Sequence, residues 1–233
     1  KNWGYAHLNV SNFTSNVGLP DFVPNAAGDF EDGNGNVLTQ GQLNGRTLLL
    51  PNQAINHKKV SFNSNVLLGS GRLRTNVTYQ KNQRKEFEDS QTEPGLFFNL
   101  NTISGDFKYF FSDNNGLERV LGVSAANQTN TNKGSEFLVP NYSSTEWGVF
   151  GYIKKNWDET TVNVGVRLDQ KVTKSESLIE NGNTVFNAFK NTFGNVSAAL
   201  GFTQEFGEVW NIKANVGSAF RAPNIAELSA NGV

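Results

Sequence analysis

Residues 193–228 read FGNVSAALGFTQEFGEVWNIKANVGSAFRAPNIAEL. On both sides of Gly207 and Glu208, this stretch alternates between apolar side chains at even positions and polar or small side chains at odd positions. The apolar positions are Val196, Ala198, Leu200, Phe202, Phe206, Trp210, Ile212, Ala214 and Val216. Because successive side chains of a strand point to opposite faces, the pattern predicts a β-hairpin with one apolar face. Each arm has about ten residues, which suits a tilted strand that crosses a bilayer, whereas ordinary strands have about five or six.

The composition fits such strands and excludes several other classes of protein. The chain has 233 residues, 37% of them hydrophobic, a net charge of −1 and a mean hydropathy of −0.45. A transmembrane β-barrel gives this polar average because only alternate residues meet lipid. The absence of cysteine excludes disulfide frameworks and thiolate sites, and the near-zero charge argues against a nucleic-acid partner.

The same alternation recurs along the whole chain and predicts nine strands. The connections between them are alternately short and long. Short turns are expected at residues 70–71, 112–116, 158–159 and 207–208, and long loops at 14–56, 87–96, 130–144 and 176–192. Antiparallel strands with short turns at one end and long loops at the other are typical of outer-membrane barrels. A soluble β-sandwich is the alternative, but it does not require all short turns to lie at one end.

Aromatic residues collect near the short turns. We interpret six of them as an aromatic girdle at the membrane interface: Trp3, Tyr109, Phe111, Trp157, Phe206 and Trp210. Trp and Tyr favour this level because their rings are apolar while their N–H or O–H groups seek water. Trp3 belongs to the group only if a short turn precedes residue 1. Ordinary strand aromatics are the alternative interpretation.

The polar strand positions mix both signs of charge with amides. We predict that the following residues face a barrel lumen: Arg72, Arg74, Lys108, Arg167, Asp169, Lys171, Lys213 and Asn215. Such a wall suits water or a hydrated plug domain. The solvated face of a soluble sheet would have the same composition.

Catalytic and metal-binding patterns are absent from the sequence. His7 and His57 lie far apart without a supporting motif, and the acidic stretch at 28–36 does not have EF-hand spacing. We therefore predict no catalytic residue, no metal site, no cofactor and no enzymatic activity.

The run GSAFRAPNIAELSANGV at 217–233 resembles a signature of TonB-dependent outer-membrane receptors, in which a Phe-Arg-x-Pro element precedes a Glu-Leu pair. The matching residues are Phe220, Arg221, Pro223, Glu227 and Leu228. The stretch GVRLDQ at 165–170 is similar to the recurring G-x-R-x-D strand of that family. The sequence of residues 224–233 looks most like that of receptors from Bacteroidetes-type bacteria.

The resemblance implies an all-β, antiparallel transmembrane barrel of about twenty-two strands, plugged by an N-terminal globular domain. Residues 1–233 would form about nine meandering strands of this barrel. They would include neither the plug nor the segment that contacts TonB. We therefore expect the chain to be part of a longer polypeptide, with edge strands near 1–13 and 209–222. We also expect an ion pair between Arg221 and Glu227.

The implied function is active uptake of a scarce ligand, such as an iron–siderophore, haem, cobalamin or a glycan, across the outer membrane of a Gram-negative bacterium. The implied partners are outer-membrane lipid, the protein's own plug domain, the TonB complex and the ligand. Two alternatives remain: a passive porin or structural barrel, and a soluble β-rich carbohydrate-binding or adhesin domain.

Overall fold

The computed structural model describes residues 3–19, 24–32, 35–180 and 182–229. Within these ranges the chain forms eleven strands and two short helices. The elements are β1 (Gly4–Gly18), α1 (Gln40–Leu43), β2 (Asn52–Leu68), β3 (Gly71–Phe87), β4 (Leu96–Phe110), β5 (Leu117–Asn132), β6 (Tyr142–Trp157), β7 (Thr160–Ser175), β8 (Leu178–Glu180), β9 (Asn183–Phe186), β10 (Phe189–Phe206), β11 (Trp210–Gly217) and α2 (Ile225–Ser229).

Nine of the described strands form one antiparallel sheet in the order β1-β2-β3-β4-β5-β6-β7-β10-β11. Each strand pairs with its neighbour along the chain, and only the small hairpin β8–β9 interrupts this order. The nine strands predicted from the alternation are therefore confirmed. All short turns lie at one edge of the sheet, which we call the short-turn end, and the opposite edge is the long-loop end.

The register gives the sheet two chemically different faces. Residues directly opposite each other in an antiparallel pair share a face, so apolar positions stay matched from strand to strand. Val164, for example, lies opposite Ile153 on β6 and Leu200 on β10. A slip of one residue would move all the apolar side chains of a strand to the polar face, which is why the alternation fixes the register. We call the two surfaces the apolar face and the polar face.

The strands are longer than the alternation suggested. β1 continues to Gly18 and β2 begins at Asn52, so both ends of the predicted 14–56 loop are strand. The predicted 176–192 loop contains the hairpin β8–β9. In these segments Asn, Thr and Lys occupy both faces, and backbone pairing continues where no apolar stripe is present to reveal it.

β11 is shorter than predicted and ends at Gly217 instead of residue 222. The next residue, Ser218, still donates its backbone N–H to Ala198 O at 2.9 Å, and its hydroxyl accepts from Ala198 N at 3.1 Å. The Ser218 hydroxyl thus replaces the backbone carbonyl that would accept the next hydrogen bond of the ladder. Beyond this residue the chain leaves the sheet. Pro223, which lacks an N–H, follows in the irregular segment before α2.

Apolar strand residues remain at the surface. Among the described residues, the buried apolar side chains are Leu50, Val139, Pro140 and Leu178, and all four lie at the long-loop end. Val10 and Val216, on the apolar face, are 72% and 69% exposed. Soluble monomers rarely expose apolar patches of this extent, so the face requires lipid or another apolar covering. No helix within the described ranges is long and apolar enough to span a membrane.

Candidate functional site

The polar face is assembled by the strand register. One row runs from Asp169 on β7 through Gly148 and Ser124 to Asp106 on β4. The eight polar residues predicted from the sequence all fall on this face: Arg72, Arg74, Lys108, Arg167, Asp169, Lys171, Lys213 and Asn215. Strands that are distant in sequence thus contribute to one continuous wall.

Arg167 forms the centre of this wall. Its Nε lies 2.8 Å from both carboxylate oxygens of Asp169, and its Nη2 lies 2.7 Å from Asp169 Oδ1. The same Nη2 donates to Ser124 Oγ at 2.8 Å. Because Ser124 lies on β5, the guanidinium reaches across β6. Arg167 and Asp169 are both partly exposed, so the pair combines fixed geometry with access to water.

Glycines on the polar face make room for these side chains. A Cβ atom on Gly148 would lie 2.2 Å from Arg167 Nη2 and 2.3 Å from Asp169 Oδ1. A Cβ atom on Gly201 would similarly lie 2.3 Å from Asn163 Oδ1 and 2.5 Å from Asn215 Oδ1. The glycines therefore let the polar side chains lie flat against the sheet. Alternation alone did not reveal this role.

The segment after β11, residues 218–229, carries the Phe-Arg-x-Pro element, and we call it the C-terminal strap. Arg221 and Glu227 form the ion pair that the sequence predicted, with Nη1 to Oε2 at 3.0 Å and Nη2 to Oε1 at 2.6 Å. Asn224 N donates to Glu227 Oε2 at 2.8 Å, and Glu227 N donates to Asn224 Oδ1 at 2.9 Å. The hydrogen bonds from Arg221 and from the Asn224 backbone lower the pKa of Glu227, and the same ion pair raises the pKa of Arg221.

The strap lies over the polar face. Phe220, Arg221 and Ala222 close one side of a cleft of about 490 Å³, whose opposite wall belongs to β4–β7. That wall contributes Ser104, Asp106, Ser124, Glu146, Arg167, Asp169 and Lys171. The cleft thus brings both stretches that carry the family resemblance, Phe220–Arg221 and Arg167–Asp169, to one place. Pro223 and Leu228 are half-buried in the strap.

The predicted interface aromatics gather at the short-turn end. Phe206 lies opposite Trp210 across the last hairpin, and Tyr109 packs edge-on against Phe111 with ring centroids 4.8 Å apart. Trp157 ends β6, and Trp3 precedes β1, where its carbonyl accepts from Leu67 N. All six therefore lie near the same edge of the sheet, and their placement at a membrane interface stays a prediction.

A second aromatic level, not predicted from the sequence, lies further along the apolar face. Tyr79 donates its hydroxyl to Asn101 Oδ1 at 3.2 Å, and Trp147 donates its Nε1–H to Gln170 Oε1 at 3.1 Å. Trp147 and Trp157 lie ten positions apart on β6. At about 3.3 Å per residue and a tilt near 40°, their levels are about 25 Å apart, the height of the apolar band in outer-membrane barrels.

The long loops are joined to one another at the long-loop end. Gln91 donates to Leu48 O at 3.2 Å and accepts from Asn52 Nδ2 at 3.2 Å. Glu136 N donates to Gly95 O at 2.9 Å. Asn141 Nδ2 donates to Glu176 Oε2 at 3.1 Å. The first three long loops and the end of β7 therefore form one connected layer.

Within the described ranges, no group of three or more His, Asp or Glu residues could hold a metal ion. His7 and His57 do not meet: the register places His7 opposite Asn63 and His57 opposite Phe13.

Comparisons with known proteins agree with this architecture. The chain resembles the FrpB iron transporter from Neisseria meningitidis with a TM-score of 0.59 at 13% identity, over 97% of this chain and 46% of that protein. It resembles the copper transporter OprC with a TM-score of 0.58 at 12% identity, over 95% and 42% respectively. The chain thus spans less than half the length of either relative. No curated protein matches it in sequence. The family model for the β-barrel of TonB dependent receptor-like proteins matches residues 2–233, and the chain belongs to that family.

Proposed function

We propose that this chain forms part of the barrel wall of a receptor that takes up a scarce ligand across the outer membrane of a Gram-negative bacterium, using energy delivered through TonB. The apolar face meets lipid and the polar face lines the lumen. The long loops face the cell exterior and the short turns face the periplasm.

The observation that carries the proposal is the division of the nine-stranded sheet into one apolar and one polar face, with all short turns at one end. Outer-membrane barrels show this combination because lipid covers one face while water or a plug occupies the other. A soluble sandwich would need a second sheet to cover the apolar face.

The polar face suits contact with a plug domain. It carries both signs of charge, and all five ion pairs among the described residues lie on it or in the strap. Such a wall holds water and forms hydrogen bonds with another hydrated surface. A plug supplied by the same protein, and moved by TonB, would contact Arg167, Asp169 and the strap.

The two structural relatives are an iron transporter and a copper transporter. At 12–13% identity they support the fold and not the ligand. We propose a scarce ligand, with an iron–siderophore or haem first, and cobalamin or a glycan as the alternatives. The resemblance to Bacteroidetes-type receptors is part of the same proposal.

Uptake assays test the function directly. A strain that lacks the full-length protein should lose growth on one limiting ligand of this class, and expression of the protein should restore growth. Restoration should fail when TonB is absent. Uptake that persists without TonB would instead support a passive porin, and recovery of the protein in the soluble fraction without detergent would contradict the membrane placement.

A further inference from the structure

Charged residues are divided unequally between the two faces of the sheet. Every acidic residue of the nine paired strands points to the polar face: Glu86, Asp106, Glu118, Glu146, Asp169 and Glu205. Seven basic residues point to the apolar face: Lys58, Lys81, Lys85, Arg119, Lys155, Lys174 and Lys190. The apolar face of these strands therefore carries cations and no carboxylate.

Five of the seven cations lie beyond the second aromatic level, towards the long-loop end. We call them the lysine belt: Lys58, Lys81, Lys85, Lys174 and Lys190. Lys81 lies two positions beyond Tyr79, and Lys174 lies four positions beyond Gln170. With about 3.3 Å per residue and a tilt near 40°, these lysines stand about 5 and 10 Å above that aromatic level. The head-group layer of a bilayer begins at this height.

The register places four of these lysines in like-charged pairs. Lys58 lies opposite Lys81, and Lys174 lies opposite Lys190. Opposed residues on neighbouring strands have Cα atoms only about 4.5–5.5 Å apart, and like charges in this position destabilise a sheet. None of the four takes part in an ion pair among the described residues. Each pair therefore presents two positive charges that no ion pair among the described residues neutralises.

Phosphate groups supply a neutralising anion at this level. A lysine binds phosphate as a point charge, and its long side chain can follow the head group while its methylene stem lies against apolar surface. Lys85 instead lies over the Phe97 ring at 4.8 Å, which leaves the two lysine pairs as the open positions.

We propose that the pairs Lys58–Lys81 and Lys174–Lys190 bind the phosphate groups of phosphorylated lipid head groups in the leaflet at the long-loop end. The inference rests on the membrane placement of the proposed function and is independent of which ligand is transported. It adds a lipid-recognition surface on the outside of the wall to the transport surface on the inside.

The experiment uses the full-length protein in detergent micelles and two probes, diphosphoryl and monophosphoryl lipid A, which differ by one phosphate. So that one lysine pair is tested at a time, the dissociation constant of each is measured for a parent protein that carries Lys174→Gln and Lys190→Gln, and for the same protein with Lys58→Gln/Lys81→Gln added. Each lysine near an anionic surface contributes about fivefold in affinity, so the variant should bind the diphosphoryl lipid about 25-fold more weakly and lose the preference for it.

Two control variants separate the lysine pair from general charge. Lys59→Gln/Lys154→Gln removes two positive charges from the polar face and should keep the preference, as should the charge-retaining variant Lys58→Arg/Lys81→Arg. The correct fold of each variant is checked by its resistance to unfolding in detergent without heating. The proposal would be overturned if the Gln variants of the two faces bound the diphosphoryl lipid equally weakly. It would also be overturned if Lys58→Gln/Lys81→Gln kept the preference for that lipid.

Inorganic phosphate distinguishes the lipid from a free anion. At the same molar concentration as the lipid it should not displace the bound probe, and full displacement would contradict recognition of a lipid head group. Uptake is measured in parallel. An unchanged lipid preference in Lys58→Gln/Lys81→Gln, with TonB-dependent uptake intact, overturns only this inference, whereas uptake that does not depend on TonB overturns only the proposed transport function.

Discussion

Arg167 on β7 donates a hydrogen bond to Ser124 on β5 at 2.8 Å, across the intervening strand β6. The two residues lie 43 positions apart in the sequence. Gly148 is the residue that the guanidinium crosses, and it offers no side chain that would block the path. The family-like G-x-R-x-D stretch is therefore coupled to two further strands by one arginine and one glycine.

Gly148→Val should displace the Arg167 side chain and break its bonds to Ser124 and Asp169. Overpacking at such a position costs about 1–3 kcal/mol, and the thermal unfolding temperature of the full-length protein in detergent should fall accordingly. Gly165→Ala is the matched control, because a Cβ there meets its nearest atom at 3.8 Å. Equal stability of the two variants would contradict a role for Gly148 in making room for Arg167.

Val164→Arg should impair assembly of the full-length barrel, because it puts a charge on the apolar face beside Ile153 and Leu200. The expected cost near the bilayer midplane is about 2–4 kcal/mol. The adjacent Asn163→Arg, on the polar face, should assemble nearly as well as the wild type. Assembly is measured as the fraction of protein that resists unfolding in detergent without heating, and equal loss in both variants would contradict the assignment of the faces.

Cysteines introduced at Ser135 and Asn183, both at the long-loop end, should react with a membrane-impermeant thiol reagent on intact cells. Cysteines at Asn114 and Glu208, at the short-turn end, should react only after the outer membrane is opened. All four positions are exposed, so burial does not account for the difference. The reverse pattern would show that the sheet is oriented the other way.

The ion pair between Arg221 and Glu227 should loosen in acid. Because the folded pKa of Glu227 is lowered, the stabilisation is fully present above the ordinary pKa of a glutamate and is lost as the pH falls through the lowered value. Protection of the Asn224 and Glu227 amides against hydrogen exchange, relative to the intrinsic rate at each pH, should therefore fall at low pH. In Glu227→Gln, protection of both amides should already be weak at neutral pH and should change little on acidification. An equally steep acid response in that variant would assign the effect to another group.

The sequence alone determined the nine strands of the main sheet, their order and their two faces. These features depend on local alternation and on turn length, and both can be read residue by residue. Phe220, Arg221 and Glu227 were also recognisable from their resemblance to the family's motif, and the Arg221–Glu227 pair spans only six positions.

The tertiary structure decided what depends on register between strands that are distant in sequence. Arg167 contacts Ser124 only because three strands are aligned. Lys58 lies opposite Lys81 only because β2 and β3 stay paired beyond the end of the apolar stripe. Beyond that stripe neither face is apolar, so the alternation ends while backbone pairing continues. The second aromatic level and the lysine belt lie at or beyond that boundary. There, hydrogen bonds and charge show which face a residue occupies, because the hydrophobic pattern no longer does.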